Sequence, residues 1–132
     1  MTIDYTGQLH CDAKHGPSGA VMSTDAPVDN HGRGESFSPT DLLGTALGTC
    51  MATVMGIAAN RKEVSLAGMS VRVRKFMSED LPRRVVRLES EITMPIAADH
   101  PAVAVLQATA EGCPVRQSLG SGVACPIVWR WA

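Results

Sequence analysis

One stretch limits the architecture more than any other: from Leu42 to Asn60, nineteen consecutive residues carry no charge. Ser38-Pro39-Thr40-Asp41 precedes it with the signature of a helix start. Ser38 is placed to cap, Pro39 occupies the first helical position and Asp41 stands three residues after the cap. Arg61 and Lys62 follow near the far end, where cations suit the helix dipole. Small residues recur every four positions at Gly44, Gly48, Ala52 and Gly56, a stripe that permits close backbone approach. A run of this length can cross a bilayer. Its three glycines and three threonines, and the amphipathic segments around it, favour instead a helix buried on nearly every side of a soluble domain.

The flanking segments alternate with period two. Residues 3–11 place Ile3, Tyr5, Leu9 and Cys11 on one face and polar residues on the other, predicting a half-buried strand. His15-Gly16-Pro17-Ser18-Gly19 is a turn, and Ala20 to Thr24 is expected to return as a strand. Residues 25–37 are polar and rich in Gly, Asp and Asn, an exposed loop of the kind that carries function. After the long helix, Met69, Val71 and Val73 oppose Ser70, Arg72 and Arg74. Val86, Leu88, Ile92 and Met94 then oppose Arg87, Glu89, Glu91 and Thr93, giving a hairpin with one wet face per strand. A second helix is expected from about His100 to Gly112, with a short turn of helix at Val115 to Leu119. A last strand carries Val123, Cys125, Ile127, Trp129 and Trp131 on one face. Pro126 cannot donate to a ladder and favours an edge there. The order predicts an α+β domain over residues 1–132, with a mainly antiparallel sheet around a long buried central helix.

Composition removes several functions. Twelve Lys/Arg against thirteen Asp/Glu leave a formal net charge of −1, which gives no electrostatic case for nucleic acid or an anionic membrane. MTIDYTGQLH has neither a basic n-region nor an apolar h-region, so no secretory signal is expected. Four cysteines without such a signal point to a reducing, cytoplasmic compartment, where thiols are packing residues or chemistry. A 132-residue chain with 4% aromatic residues buries only about two-thirds of its unfolded surface as a monomer, so a second copy is plausible.

Cys11 and Cys125 fall on apolar strand faces and read as small buried hydrophobes. Composition alone makes Cys50, midway along the uncharged helix, core filler as well. Cys113, between Gly112 and Pro114 at a helix end, is placed where the backbone turns and access is greater. No CxxC spacing brings two thiols together. The histidines at 10, 15, 31 and 100 lack ligand spacing with the cysteines, so no metal site and no cofactor is expected. GRGES at 32–36 lacks the features of a phosphate loop, and GSG at 120–122 lacks those of a serine nucleophile elbow. Arg33, by itself, reads as a solvated loop charge.

SPTDLLGTALGTCMATVMGIAANRK, together with the later AEGCPVRQSL, resembles the OsmC/Ohr family of thiol-dependent peroxide-defence proteins, nearer its general OsmC-like branch. The resemblance spans roughly residues 5–130. It implies an OsmC-like fold built as an intertwined homodimer, with two long central helices and active sites at the subunit interface. It further implies a peroxidatic thiol at Cys50 and a resolving thiol at Cys113, with electrons from a dithiol such as a lipoylated protein. A thiol in apolar surroundings is a poor nucleophile, so a cation is needed beside Cys50. Arg33 corresponds to the family's loop arginine. The family glutamate after the motif proline is replaced by Thr40, which leaves Asp41 or Glu35 as the acidic partner of Arg33. An apolar substrate pocket is expected near Phe37, Met51 and the Cys113 loop, favouring organic hydroperoxides. The contrasting expectation is a non-catalytic dimer that binds a small apolar ligand or senses redox state.

Overall fold

A computed structural model describes all residues, Met1 to Ala132. Its contacts divide the chain into two compact units, Met1–Leu43 and Gly44–Ala132.

The first unit is a three-stranded antiparallel sheet in the order β1 (Thr2–Gly7), β2 (His10–Lys14), β3 (Val21–Asp25). The single strand predicted over residues 3–11 is two strands. Gln8 and Leu9 both take positive φ, 52° and 62°, and reverse the chain in a tight turn. Side chains other than Gly, Asn and Asp seldom adopt that conformation, so the sequence carries no turn signal there. One sheet face aligns Ile3 with Ala13 and Met22, and Tyr5 with Cys11. Ile3 and Tyr5 are 62% and 66% exposed, so this apolar face is uncovered rather than half-buried as the alternation predicts. After β3, residues 26–37 form a loop with a single turn of 3-10 helix at Val28–Asn30.

Helix α1 (Pro39–Asn60) begins in the first unit and runs into the second. Its start is a reciprocal cap. The Asp41 N–H donates to Ser38 Oγ at 3.1 Å, and the Ser38 N–H donates to Asp41 Oδ2 at 2.9 Å. The sequence predicts a helix buried on nearly every side, but the structure buries one stripe only: Gly44, Leu47, Gly48, Met51, Met55 and Ala59. Thr45, Thr49, Thr53 and Ile57 line an exposed stripe. Thr49 and Thr53 turn their hydroxyls back onto the carbonyls of Thr45 and Thr49, at 2.7 and 2.8 Å, which satisfies them within the helix.

The second unit contains the sheet β4 (Ser70–Met77), β5 (Val85–Thr93), β6 (Ile127–Arg130), with β5 central. β4 and β5 are antiparallel, whereas β6 runs parallel to β5 on the free edge, next to Pro126 as its missing donor requires. Gly44 and Gly48 face this sheet. A Cβ on Gly48 would lie 3.0 Å from Val73 Cγ2, and one on Gly44 would lie 3.4 Å from Val73 Cγ1. The glycine stripe therefore brings α1 close to a strand, while Gly56 faces open space. Leu88, Ile92 and Met94 of the sheet region, and Leu106 and Ala110 of α2 (Val103–Glu111), complete this core. α3 (Pro114–Leu119) follows α2 after a break at Gly112 and Cys113.

Candidate active site

In the second unit, α1 and the α2–α3 junction bring two cysteines together. Gly112 ends α2, and Pro114 opens α3 at its first position, leaving Cys113 between them as the N-cap of α3. Its sulfur accepts the Arg116 N–H at 3.4 Å. Cys113 is completely buried, which corrects the expectation of greater access at this turn: the side chain points inward as the backbone changes direction. Cys50, expected on composition to be core filler, is only partly buried. The two thiols lie close enough to interact electrostatically, and both are free.

Burial raises the pKa of Cys113 above the ordinary thiol value, opposed by the Arg116 N–H, and the neighbouring Cys50 raises it further. Cys113 thus holds its proton. A partly accessible thiol beside a buried one suits oxidation at the first sulfur and disulfide closure by the second.

Cys125 is half-buried, and burial raises its pKa against the opposing charge of Arg116. The Arg116 guanidinium donates to the carbonyls of Glu111 at 3.0 Å and Cys125 at 3.4 Å, tying the α2 end to the segment before β6. Sequence reasoning did not single out Arg116, although its position three residues after Cys113, in the first turn of a short helix, is the available signal.

The remaining expected site residues lie in the first unit, apart from Met51. Arg33 lies between Gly32 and Gly34 and donates to Gln8 Oε1. Neither glycine tolerates a side chain in this loop. A Cβ on Gly32 would fall 1.6 Å from the Ala26 carbonyl oxygen, and Gly34 takes φ +64°. Glu35 is exposed and gives its backbone N–H to Asp25 Oδ2 at 3.0 Å. Asp41 serves the α1 cap. Phe37 is exposed, and its carbonyl accepts the Asp25 N–H at 3.1 Å. Met51 is completely buried on the inner stripe of α1.

The sequence reading passed over two residues here. His10 and Asp25 are directly opposite on β2 and β3, with Nδ1 and Oδ1 2.5 Å apart. That bond raises the His10 pKa and lowers that of Asp25, whose carboxylate is further favoured by the Glu35 N–H and the Arg33 charge. With Gln8, Arg33 and Glu35 they line a cavity of about 350 Å³. The period-two pattern assigns His10 to a polar face but cannot show which residue it will meet across the strand.

The family model for OsmC-like proteins matches residues 32–127. A crystal structure from Psychrobacter arcticus, of a protein named for osmotic stress induction and a detoxification response, shares 40% identity. It has a TM-score of 0.91, with 97% of this chain and 93% of that one covered. An organic hydroperoxide resistance protein OsmC from Legionella pneumophila superimposes with a TM-score of 0.72 at 17% identity, over 98% and 97% of the two chains. One from Elizabethkingia anophelis, crystallised with thiocyanate, gives 0.77 at 12%, over 100% and 97%. No curated protein matches the sequence. The fold is that of a mixed α+β protein in which the helix-borne Cys50 neighbours the buried Cys113. The chain belongs to the OsmC-like family.

Proposed function

We propose that this protein is a thiol-dependent peroxidase of peroxide defence, acting on organic hydroperoxides and on hydrogen peroxide. The observation that carries the reading is the neighbouring Cys50 and Cys113 thiols, about 60 positions apart in sequence and on different helical segments. The Cys50 thiolate attacks the distal peroxide oxygen. The O–O bond breaks, the alcohol leaves with a proton, and Cys50 becomes a sulfenic acid. The Cys113 sulfur then displaces the hydroxyl as water, forming the disulfide. An external dithiol reduces that bond and is itself oxidised to a disulfide. Arg33 is the proposed cation for the Cys50 thiolate.

The active form is proposed to be a cytoplasmic homodimer whose partners are hydroperoxide and a dithiol, such as a lipoylated protein, and neither nucleic acid nor membrane. Two uncovered surfaces support association: the Ile3, Tyr5 and Met22 face of the first sheet, and the Thr45, Thr49, Thr53 and Ile57 stripe of α1. Gly44 and Gly48 are already packed on β4, so the threonine stripe is the proposed face for the second copy. Thr40 in place of the family glutamate, with Asp41 drawn into the helix cap, favours the second reading, a non-catalytic dimer that binds a small apolar ligand.

Consumption of cumene hydroperoxide in the presence of dihydrolipoamide separates the two. Wild type should turn over and Cys50→Ser should not. Cys113→Ser should lose disulfide closure and accumulate a dimedone-reactive sulfenic acid. Absence of consumption by wild type refutes the peroxidase and leaves the binding protein.

A further inference from the structure

Of the two acids that the sequence offers for Arg33, Asp41 takes part in the helix cap and Glu35 is exposed. The carboxylate at the loop's root is Asp25, 3% exposed. Residues 26–37 leave β3 at Asp25 and return to it. The Asp25 N–H donates to the Phe37 carbonyl at 3.1 Å, and the Glu35 N–H donates to Asp25 Oδ2 at 3.0 Å. Within the loop, the Gly34 N–H donates to Ala26 O at 3.3 Å. The other carboxylate oxygen of Asp25 is engaged by His10.

From these contacts we infer that Asp25, oriented by His10, is the positioning residue that fixes the Arg33 loop and thereby the direction of the guanidinium. A carboxylate with one oxygen on the His10 ring and the other on a loop amide cannot rotate without breaking a charge-assisted hydrogen bond. The loop amide held this way, Glu35, is two residues from Arg33, whose guanidinium donates to Gln8 of the β1–β2 turn. The charged groups facing His10 are Asp12 on its own strand, with an oxygen 3.5 Å from Nε2, Asp25 on β3, and Arg33 and Glu35 from the loop. β1 contributes only Thr6 and Gly7 to this cavity. The clamp is complete within the first unit. Its consequence for Cys50 rests on the peroxidase reading.

Three measurements on the full-length protein test it. In Asp25→Asn, amide hydrogen exchange at Glu35 should accelerate at least tenfold while β2 amides are unchanged. The His10 ring should titrate at lower pH than in wild type, as followed by NMR. In peroxide assays, Asp25→Asn should slow the reaction of Cys50 at least tenfold, as Arg33→Gln should, and Asp25→Glu should restore part of that rate. The Asp25→Asn/Arg33→Gln double variant should be no slower than Arg33→Gln alone, because one residue acts through the other. Unchanged Glu35 exchange, or multiplicative losses in the double variant, overturns the inference. If wild type consumes no hydroperoxide, the peroxidase reading fails, and Glu35 exchange still decides whether Asp25 holds the loop. Should Asp25→Asn not fold, His10→Gln carries the exchange test, with an acceleration of at least threefold expected and none contradicting the clamp.

Discussion

Gly48 and Gly56 lie two helical turns apart on α1, and replacing each by alanine should have opposite effects. In a helix interior, Gly→Ala gains about 1 kcal/mol from backbone entropy. At Gly56 nothing lies within 4 Å of the new methyl group, so that gain should appear whole. For a chain of this size it corresponds to roughly 3–5 °C in melting temperature. At Gly48 the methyl would sit 3.0 Å from Val73 Cγ2 and 3.4 Å from Val71 Cγ1. Val73 is β-branched, with one strongly preferred rotamer, and its other methyl lies against Gly44, so it has little room to retreat. Overpacking of this kind costs about 1–3 kcal/mol, which cancels or exceeds the helix gain. Thermal and urea denaturation of both variants, and of Gly48→Ala combined with Val73→Ala, provide the assay. The double variant should recover stability lost at Gly48, with a coupling of about 1 kcal/mol. Equal stabilisation by Gly48→Ala and Gly56→Ala would refute the assignment of the glycine stripe to β4. Destabilisation by Gly56→Ala would show that a partner covers that face.

Ser90, central on β5 and fully buried, has no hydrogen-bond partner for its hydroxyl. Ser90→Ala should therefore stabilise the protein by about 1 kcal/mol in urea titration, and a loss of similar size would show a partner at the hydroxyl. Glu89 is hydrogen-bonded to Arg87 and then Arg74, and together they hold its carboxyl below the usual range. Its contribution is present above the ordinary glutamate pKa, about 4.3, and is lost as pH falls through the lowered folded value. Glu89→Gln should flatten the acid limb of a stability-versus-pH curve; an unchanged limb contradicts this pairing. His10 has the opposite sign: its pKa is raised chiefly by the Asp25 bond. Its contribution is present below about pH 6.5 and is lost as pH rises through the raised value, so His10→Gln should shallow the neutral limb.

Much of this fold is legible in the chain because local signals agree with one another. Ser38, Pro39 and Asp41 mark the α1 start, and alternation at 69–74 and 86–94 marks the β4–β5 hairpin. Gly112-Cys113-Pro114 marks the α2–α3 break. What escapes depends on pairing across space. The Gln8–Leu9 turn uses residues with little preference for it, and alternation in β1 shows an apolar face without showing whether the same chain covers it. The parallel course of β6 is fixed by its neighbour rather than by its residues. At the candidate site, Cys50 and Cys113 were found through motif resemblance, since two thiols far apart in sequence give no spacing signal. His10 and Asp25 were missed because neither belongs to a motif, and only strand register sets them opposite each other.

The proposed chemistry turns on whether Cys50 and Cys113 form a redox couple. Reduced protein treated with one equivalent of cumene hydroperoxide, alkylated and digested without reductant should yield a Cys50–Cys113 linked peptide by mass spectrometry. Cys11 and Cys125 should remain alkylated, and a dithiol should reverse the link. Oxidation that leaves both thiols free, or that links Cys50 to another cysteine, would contradict the account.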